Sequence, residues 1–259
     1  MRIAVGVEYD GTAFSGWQSQ PGSRTVQGSI EQALSKVADH PVQVVCAGRT
    51  DSGVHATGQV VHFDSDAPRR MRSWVLGANA TLSADVAVTW AQPVDQQFHA
   101  RFRALQRRYR YVILNRTVRP ALARSRVCWD HRPLDARRMA QAGVHLVGEH
   151  DFSSFRALAC QAKHPVRTVH RLDVARAGEH LYIDVTANAF LHHMVRNIAG
   201  VLIAVGRGER EPGWVPELLQ ARDRSAGGVT APAGGLYLVD VRYPEKFDLP
   251  RVVRLPRFA

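Results

Sequence analysis

The chain has 259 residues, 45% hydrophobic and 22% charged, which is enough for one large domain or two modest ones, with nothing to suggest disorder. No apolar run reaches the ~18 residues of a membrane span, and MRIAVGVEYDG lacks the basic and apolar regions of a signal peptide, so a cytoplasmic, non-membrane protein is expected. Lys plus Arg number 34 against 23 acidic residues, a formal net charge of +11, which points to a polyanionic partner.

Only Lys36, Lys163 and Lys246 are lysines. Arginine therefore supplies nearly all the positive charge, and its planar guanidinium suits phosphate contacts and base stacking. A GC-rich genome would explain the Arg/Lys ratio but not the net excess. Cys46, Cys128 and Cys160 are odd in number, far apart and without metal-ligand spacing, so they read as buried thiols.

In chain order, Ile3 to Tyr9 alternates as a strand would, and Asp10-Gly11 reads as a turn. Ile30, Leu34 and Val37 give a helical spacing over 26–37. A β-rich run over 42–47 leads into the glycine-bearing segment GRTDSGVHA (48–56), followed by a second β-rich run, QVVHF. Residues 69–79 read as a helix and 86–90 as a strand. The order then restarts with YRYVIL (109–114). Asp135 is placed to cap a helix running through Val147 and closed by Gly148. Strands over 169–175 and 181–187 flank a turn at Ala177-Gly178-Glu179. Leu191, Met194, Val195, Ile198, Leu202 and Val205 form one apolar helical stripe over 191–205. A short helix over 214–221 and a closing strand over 236–243 complete the pattern. The expected division is an α+β half over 1–104, a second over 105–248, and a basic tail over 249–259, read as an appendage.

Three segments could carry chemistry. Arg49, Thr50, Asp51 and His55 stand between or beside glycines just after a strand, a common place for functional groups. Asp51 equally suits an Asx-turn that binds its own backbone. In RRYRY, alternation puts Tyr109 and Tyr111 on one face and Arg108 and Arg110 on the other. That suits base stacking with phosphate contact, or simply tyrosines in a core. In FLHHMVRNIAG, a helix would put His192 and Arg196 on one face, and a half-buried Arg196 needs an anion: a structural acid, a phosphate or a catalytic carboxylate. Adjacent helical residues point about 100° apart, so His192-His193 does not read as a chelating pair.

Taken together, YDGTAFSGWQ, GRTDSGVHATGQVVHF, FHARF, RRYRYVI, DFSSFR, ANAFLHHMVRNIAG and GLYLVDV resemble, in order, the tRNA pseudouridine synthase A family. The family loop more often reads GRTDAGVHA, with alanine where Ser52 stands. The resemblance implies an α+β pseudouridine synthase fold, its two related halves sharing a mixed, mostly antiparallel sheet with a central cleft. It implies a homodimer that acts on uridines at positions 38, 39 and 40 of the tRNA anticodon arm, with no metal and no organic cofactor. Carried over by motif, Asp51 is the catalytic carboxylate, Tyr109 contacts the target base and Arg196 pairs with Asp51. The resemblance further implies that Arg49 helps turn the uridine out, and His55, Arg108 and Arg110 are expected to contact RNA. A non-catalytic RNA binder would not need a carboxylate facing phosphates, and a metal-dependent nuclease would want clustered acids that the Asp51 motif lacks.

Overall fold

The computed structural model describes residues 1–258, which fall into two compact units. The first comprises Met1–Gln106 and Tyr237–Pro256, and the second Arg107–Leu236 together with Arg257 and Phe258. This differs from the expected halves at the C-terminal end. The closing strand and most of the basic tail belong with the first unit rather than forming part of the second half and an appendage.

In the first unit, β1 (Arg2–Tyr9) pairs antiparallel with β3 (His55–Asp64) and with β4 (Val86–Val94). The short β2 (Val45–Cys46) adds to β3. β10 (Leu236–Arg242) lies parallel to β3, Tyr237 opposite His55. Helices α1 (Val26–Ala38) and α2 (Met71–Asn79) pack on each other, and α2 packs on β4. Thr25 caps α1 by accepting from Gly28 N–H. Ile3, Val5, Ile30, Leu34, Phe63 and Trp74 are fully buried and form the core. β1 is buried on both faces from Ile3 to Val7, so its sequence is apolar throughout rather than strictly alternating. The tail is pinned to this unit: Thr57 Oγ1 donates to the Arg254 carbonyl at 2.6 Å, and the Arg254 guanidinium meets Glu8 at 3.1 Å.

In the second unit, β5 (Gln106–Asn115) pairs antiparallel with β9 (His180–Ala187). β9 forms a hairpin with β8 (Val166–Ala177) around Gly178-Glu179, as the sequence predicts, and β7 (Gly148–Asp151) extends it. β6 (Cys128–Asp130) runs parallel to β5. Helix α3 (Ala136–Val144) packs on β8 and on α4 (Met194–Gly206), and α5 (Trp214–Ala221) follows. Asp135 caps α3 as expected, accepting from the N–H groups of Arg137 and Arg138. The helix stops three residues short of Val147 because His145 and Leu146 fold back in a tight turn toward Ala142 and Gly143. Each unit thus combines a sheet of mixed or antiparallel strands with a few helices, an α+β architecture. Among the described residues, no helix is long and apolar enough to cross a membrane.

One buried group links the FHARF segment to this core. His62, on β3, accepts from the Ala100 N–H at Nδ1, 3.1 Å away. Burial, reinforced by Arg2, lowers its pKa from 6.5 to about 4. The folded protein therefore keeps His62 neutral where the unfolded chain would protonate it. Its contribution is full above pH 6.5 and is lost as pH falls toward 4. His62→Asn keeps an acceptor for Ala100 but does not titrate. The urea midpoint of the wild type is expected to drop more between pH 7.5 and 4.5 than that of His62→Asn. Equal drops would show that His62 does not titrate in this way. The burial of His99 and His180 also lowers their pKa values, so the variant's profile will not be flat.

Candidate active site

Asp51 sits in the loop between β2 and β3, and the first unit grips that loop from several sides. Ala47 N–H donates to the Val60 carbonyl at 2.8 Å, and Gln59 Nε2 donates to the Gly48 carbonyl at 2.7 Å. Thr50 Oγ1 shares a 2.8 Å hydrogen bond with the Tyr9 hydroxyl, and the Thr50 carbonyl accepts from Trp17 N–H at 3.0 Å. Ser52 Oγ donates to the Phe14 carbonyl at 3.1 Å. The turn itself is closed through the backbone, with Val54 N–H donating to the Asp51 carbonyl at 3.1 Å.

The close approach requires Gly16. Its φ of +94° is left-handed, and a Cβ there would stand 2.9 Å from the Thr50 carbonyl oxygen and 3.1 Å from Ser52 N. The two sequence motifs YDGTAFSGW and GRTDSGVHA are therefore two sides of one structure. The first is a cradle and the second is the loop it holds, with both flanks of the half-buried Asp51 fixed.

His55 occupies a different place from the RNA-facing one expected. It is 2% exposed, stacks on Tyr237 at 4.7 Å and accepts at Nδ1 from Gly11 N–H, 3.0 Å away. The Asp10 carboxylate lies 3.2 Å from the same ring nitrogen. His55 thus fastens the start of β3 to the Asp10-Gly11 turn. Arg49, by contrast, is exposed. The Cys46 thiol at the base of the loop is buried, and burial pushes its pKa up to about 12, which makes it an inert structural group.

The second unit carries the remaining candidates. Tyr109 on β5 is 8% exposed and meets Phe190 edge-on, ring centroids 5.0 Å apart. Tyr111, two residues on, is completely buried and donates to the Pro232 carbonyl at 2.8 Å. The predicted alternation holds: Arg108 and Arg110 both turn toward Asp184 on β9. Arg110 is nearly buried, forms a two-point pair with Asp184 at 3.0 and 2.6 Å, and lies 4.7 Å over the Tyr182 ring. This arrangement gives Arg110 a structural role in the sheet instead of the expected RNA contact. Arg108 remains half-exposed, 3.3 Å from the same carboxylate.

Arg196 lies in the first turn of α4, where Nε donates to the Ala231 carbonyl at 2.8 Å and its own carbonyl accepts from Ala231 N–H. The helix begins later than the apolar stripe suggests. His193 has a left-handed φ of 63° and caps α4, while His192 lies in the preceding turn, whose carbonyl is held by Ala157 N–H at 2.9 Å. His192 and Arg196 therefore do not share a helical face. The two imidazoles lie only 4.1 Å apart, so the argument from helical divergence does not apply to them.

Sequence reasoning missed Asn197. It is 1% exposed, donates to the Phe155 carbonyl at 2.7 Å and accepts from Thr230 Oγ1 and Arg224. This one amide ties the DFSSFR segment, the 224–231 segment and α4 together behind Arg196. An asparagine inside an apolar helical stripe was the available signal.

The chain belongs to the tRNA pseudouridine synthase family: a family profile of that description matches residues 5–103 and 142–244, well over half its length. Asp51 and Arg196 fall inside the matched segments, and Tyr109 falls between them. Among individual proteins, the chain is 63% identical over 254 residues to tRNA pseudouridine synthase A of Nitrosococcus oceani, covering 98% of each chain. It is 59% identical to the Alcanivorax borkumensis protein of that name, covering 96% of this chain and 94% of the other. It is 56% identical to that of Vibrio campbellii over 258 residues, covering 100% and 98%.

Proposed function

We propose that this chain isomerises uridine to pseudouridine in tRNA, at positions 38, 39 and 40 of the anticodon arm, with Asp51 as the catalytic carboxylate. The observation that carries the reading is the clamped GRTDSGVHA loop, which holds Asp51 between fixed neighbours in a chain of this family. The reaction breaks the bond from uracil N1 to the ribose, turns the base and joins C5 to the same ribose carbon. No atoms or electrons are gained or lost overall, so neither a redox cofactor nor a metal is invoked. A carboxylate can serve as the nucleophile at that ribose carbon or as the base that takes the sugar 2′ proton. Arg196 is assigned as the cation that pairs with Asp51. Tyr109 is assigned to the target base, and Arg49 to turning the uridine out of the stack, which costs a few kcal/mol. Arg108 is retained as a phosphate contact. We further place the enzyme in the cytoplasm as a symmetric homodimer.

The test is to incubate the protein with an unmodified tRNA transcript, with a chelator present, and to map pseudouridine. Conversion confined to positions 38–40 is expected. Binding without conversion would leave only an RNA-binding protein. Affinity is expected to fall steeply with salt, with a log–log slope of a few units from several phosphate contacts; titrations at several salt concentrations would read a flat line if the +11 charge is no RNA footprint. Tyr109→Phe keeps the aromatic face and loses the hydroxyl. Slower single turnover at near-normal tRNA affinity is expected, whereas wild-type turnover would leave only stacking to this residue.

A further inference from the structure

The FHARF segment ends in a feature the proposed chemistry does not use. Phe102 is 74% exposed, and Leu105 beside it is 55% exposed. Large apolar groups at this exposure are common one at a time. What distinguishes Phe102 is that it is held. The His99 ring lies against it, centroids 4.3 Å apart and 31° from parallel. His99 in turn packs on the buried His62, 4.9 Å away. His99 Nδ1 accepts from the backbone N–H groups of both Arg101 and Phe102, each at 3.2 Å, which fixes the turn that carries the phenyl ring. The accepting Nδ1 keeps this ring uncharged, and burial lowers its pKa in the same direction.

The surroundings are cationic. Arg101 lies 5.5 Å from the Phe102 ring centroid, and Arg103 is exposed with its Nε on the Gln97 carbonyl. The turn also stands beside the catalytic loop. His62, which holds Ala100, pairs from β3 with Val45 on β2, and the next residue on that short strand, Cys46, leads into the loop. A rigid, exposed aromatic ring flanked by guanidiniums is the combination that stacks a nucleic-acid base while neighbouring phosphates are neutralised.

We propose that Phe102, propped on His99 and flanked by Arg101 and Arg103, is a stacking platform for an unpaired base of the RNA substrate, one other than the isomerised uridine. This rests on the tRNA-modifying function proposed above. An apolar contact between two copies of this chain is the competing use of the same ring, and the arginines disfavour it, since two such turns would bring like charges together.

The experiment compares wild type, Phe102→Ala, Phe102→Leu and Phe102→Tyr for tRNA affinity, single-turnover rate at saturating enzyme, oligomeric state and melting temperature. Loss of one base stack weakens binding about five- to 150-fold, equivalent to about 1–3 kcal/mol. The expected result is that loss in both Ala and Leu, near-wild-type affinity in Tyr, an unchanged saturated rate and an unchanged melting temperature. A leucine variant that binds like wild type would overturn the proposal, because leucine keeps the apolar bulk and lacks the π face. So would an alanine variant with unchanged affinity, or one whose dimer dissociates in step with its lost affinity. If the wild type itself neither binds nor modifies tRNA, the functional reading fails and the platform with it. A wild type that modifies tRNA alongside an unaffected alanine variant removes the platform alone.

Discussion

Asp51→Asn is expected to abolish pseudouridine formation while folding and tRNA binding stay near wild type. Several of the contacts that hold the loop do not involve the carboxylate. They are made by the Thr50 and Ser52 hydroxyls, the Thr50 carbonyl and the backbone turn to Val54. Asparagine is nearly isosteric and leaves all of them in place. Its amide is neither a useful nucleophile nor a base, so the rate should fall by about a thousandfold or more, equivalent to about 4 kcal/mol. Removing a negative charge from the proposed RNA-binding site is expected to leave affinity unchanged or tighter. Arg196 loses its proposed counter-charge, so the melting temperature belongs in the same experiment as single turnover. A folded Asp51→Asn with wild-type turnover would refute the catalytic assignment. A variant that neither folds nor binds would mean that the carboxylate chiefly holds the turn.

Gly200→Ala is expected to lower stability and activity together. Gly200 lies on α4, where an added Cβ would sit 1.8 Å from the Val229 carbonyl oxygen. That oxygen belongs to the backbone and cannot swing aside as a side chain would. Either α4 or the 229–231 segment must move, an overpacking that typically costs about 1–3 kcal/mol. For a chain of this size each kcal/mol lowers the melting temperature by about 2–4 °C. The segment that must yield also carries Ala231, whose N–H and carbonyl both bond Arg196. Turnover should therefore fall even well below the melting temperature, and a matched destabilising change elsewhere, such as Leu34→Ala in the α1 core, should not reproduce that fall. Unchanged melting temperature and turnover would show that α4 and its neighbour can separate freely.

Much of this was legible in the sequence where the signals are local. The Gly178-Glu179 hairpin, the Asp135 cap and the alternation of Arg108 through Tyr111 depend on residues within a turn or a strand of each other. So does the glycine-rich loop around Asp51. What the sequence concealed lies in long-range pairing. Nothing near Arg110 announces that its partner is Asp184, across the sheet on β9, or that His55 receives the Gly11 N–H from the other end of the loop's cradle. The apolar stripe predicted α4 well. It could not show that the chain enters the helix through a left-handed His193, since that conformation is imposed by the turn and by Ala157 holding the His192 carbonyl. The tail reads as a loose basic segment because its anchors, Thr57 and Glu8, lie almost the whole chain away.

The hydrogen on C5 of uracil must leave when that carbon bonds to the ribose, so its release reports the isomerisation directly. Unmodified tRNA carrying tritium at C5 of its uridines is incubated with the wild-type protein and, in parallel, with Asp51→Asn. Tritium release to solvent by the wild type is expected, with a plateau matching the modified anticodon-arm uridines, and background release by the variant. No release by a wild-type protein that binds the tRNA, or equal release by both, would contradict isomerisation through Asp51.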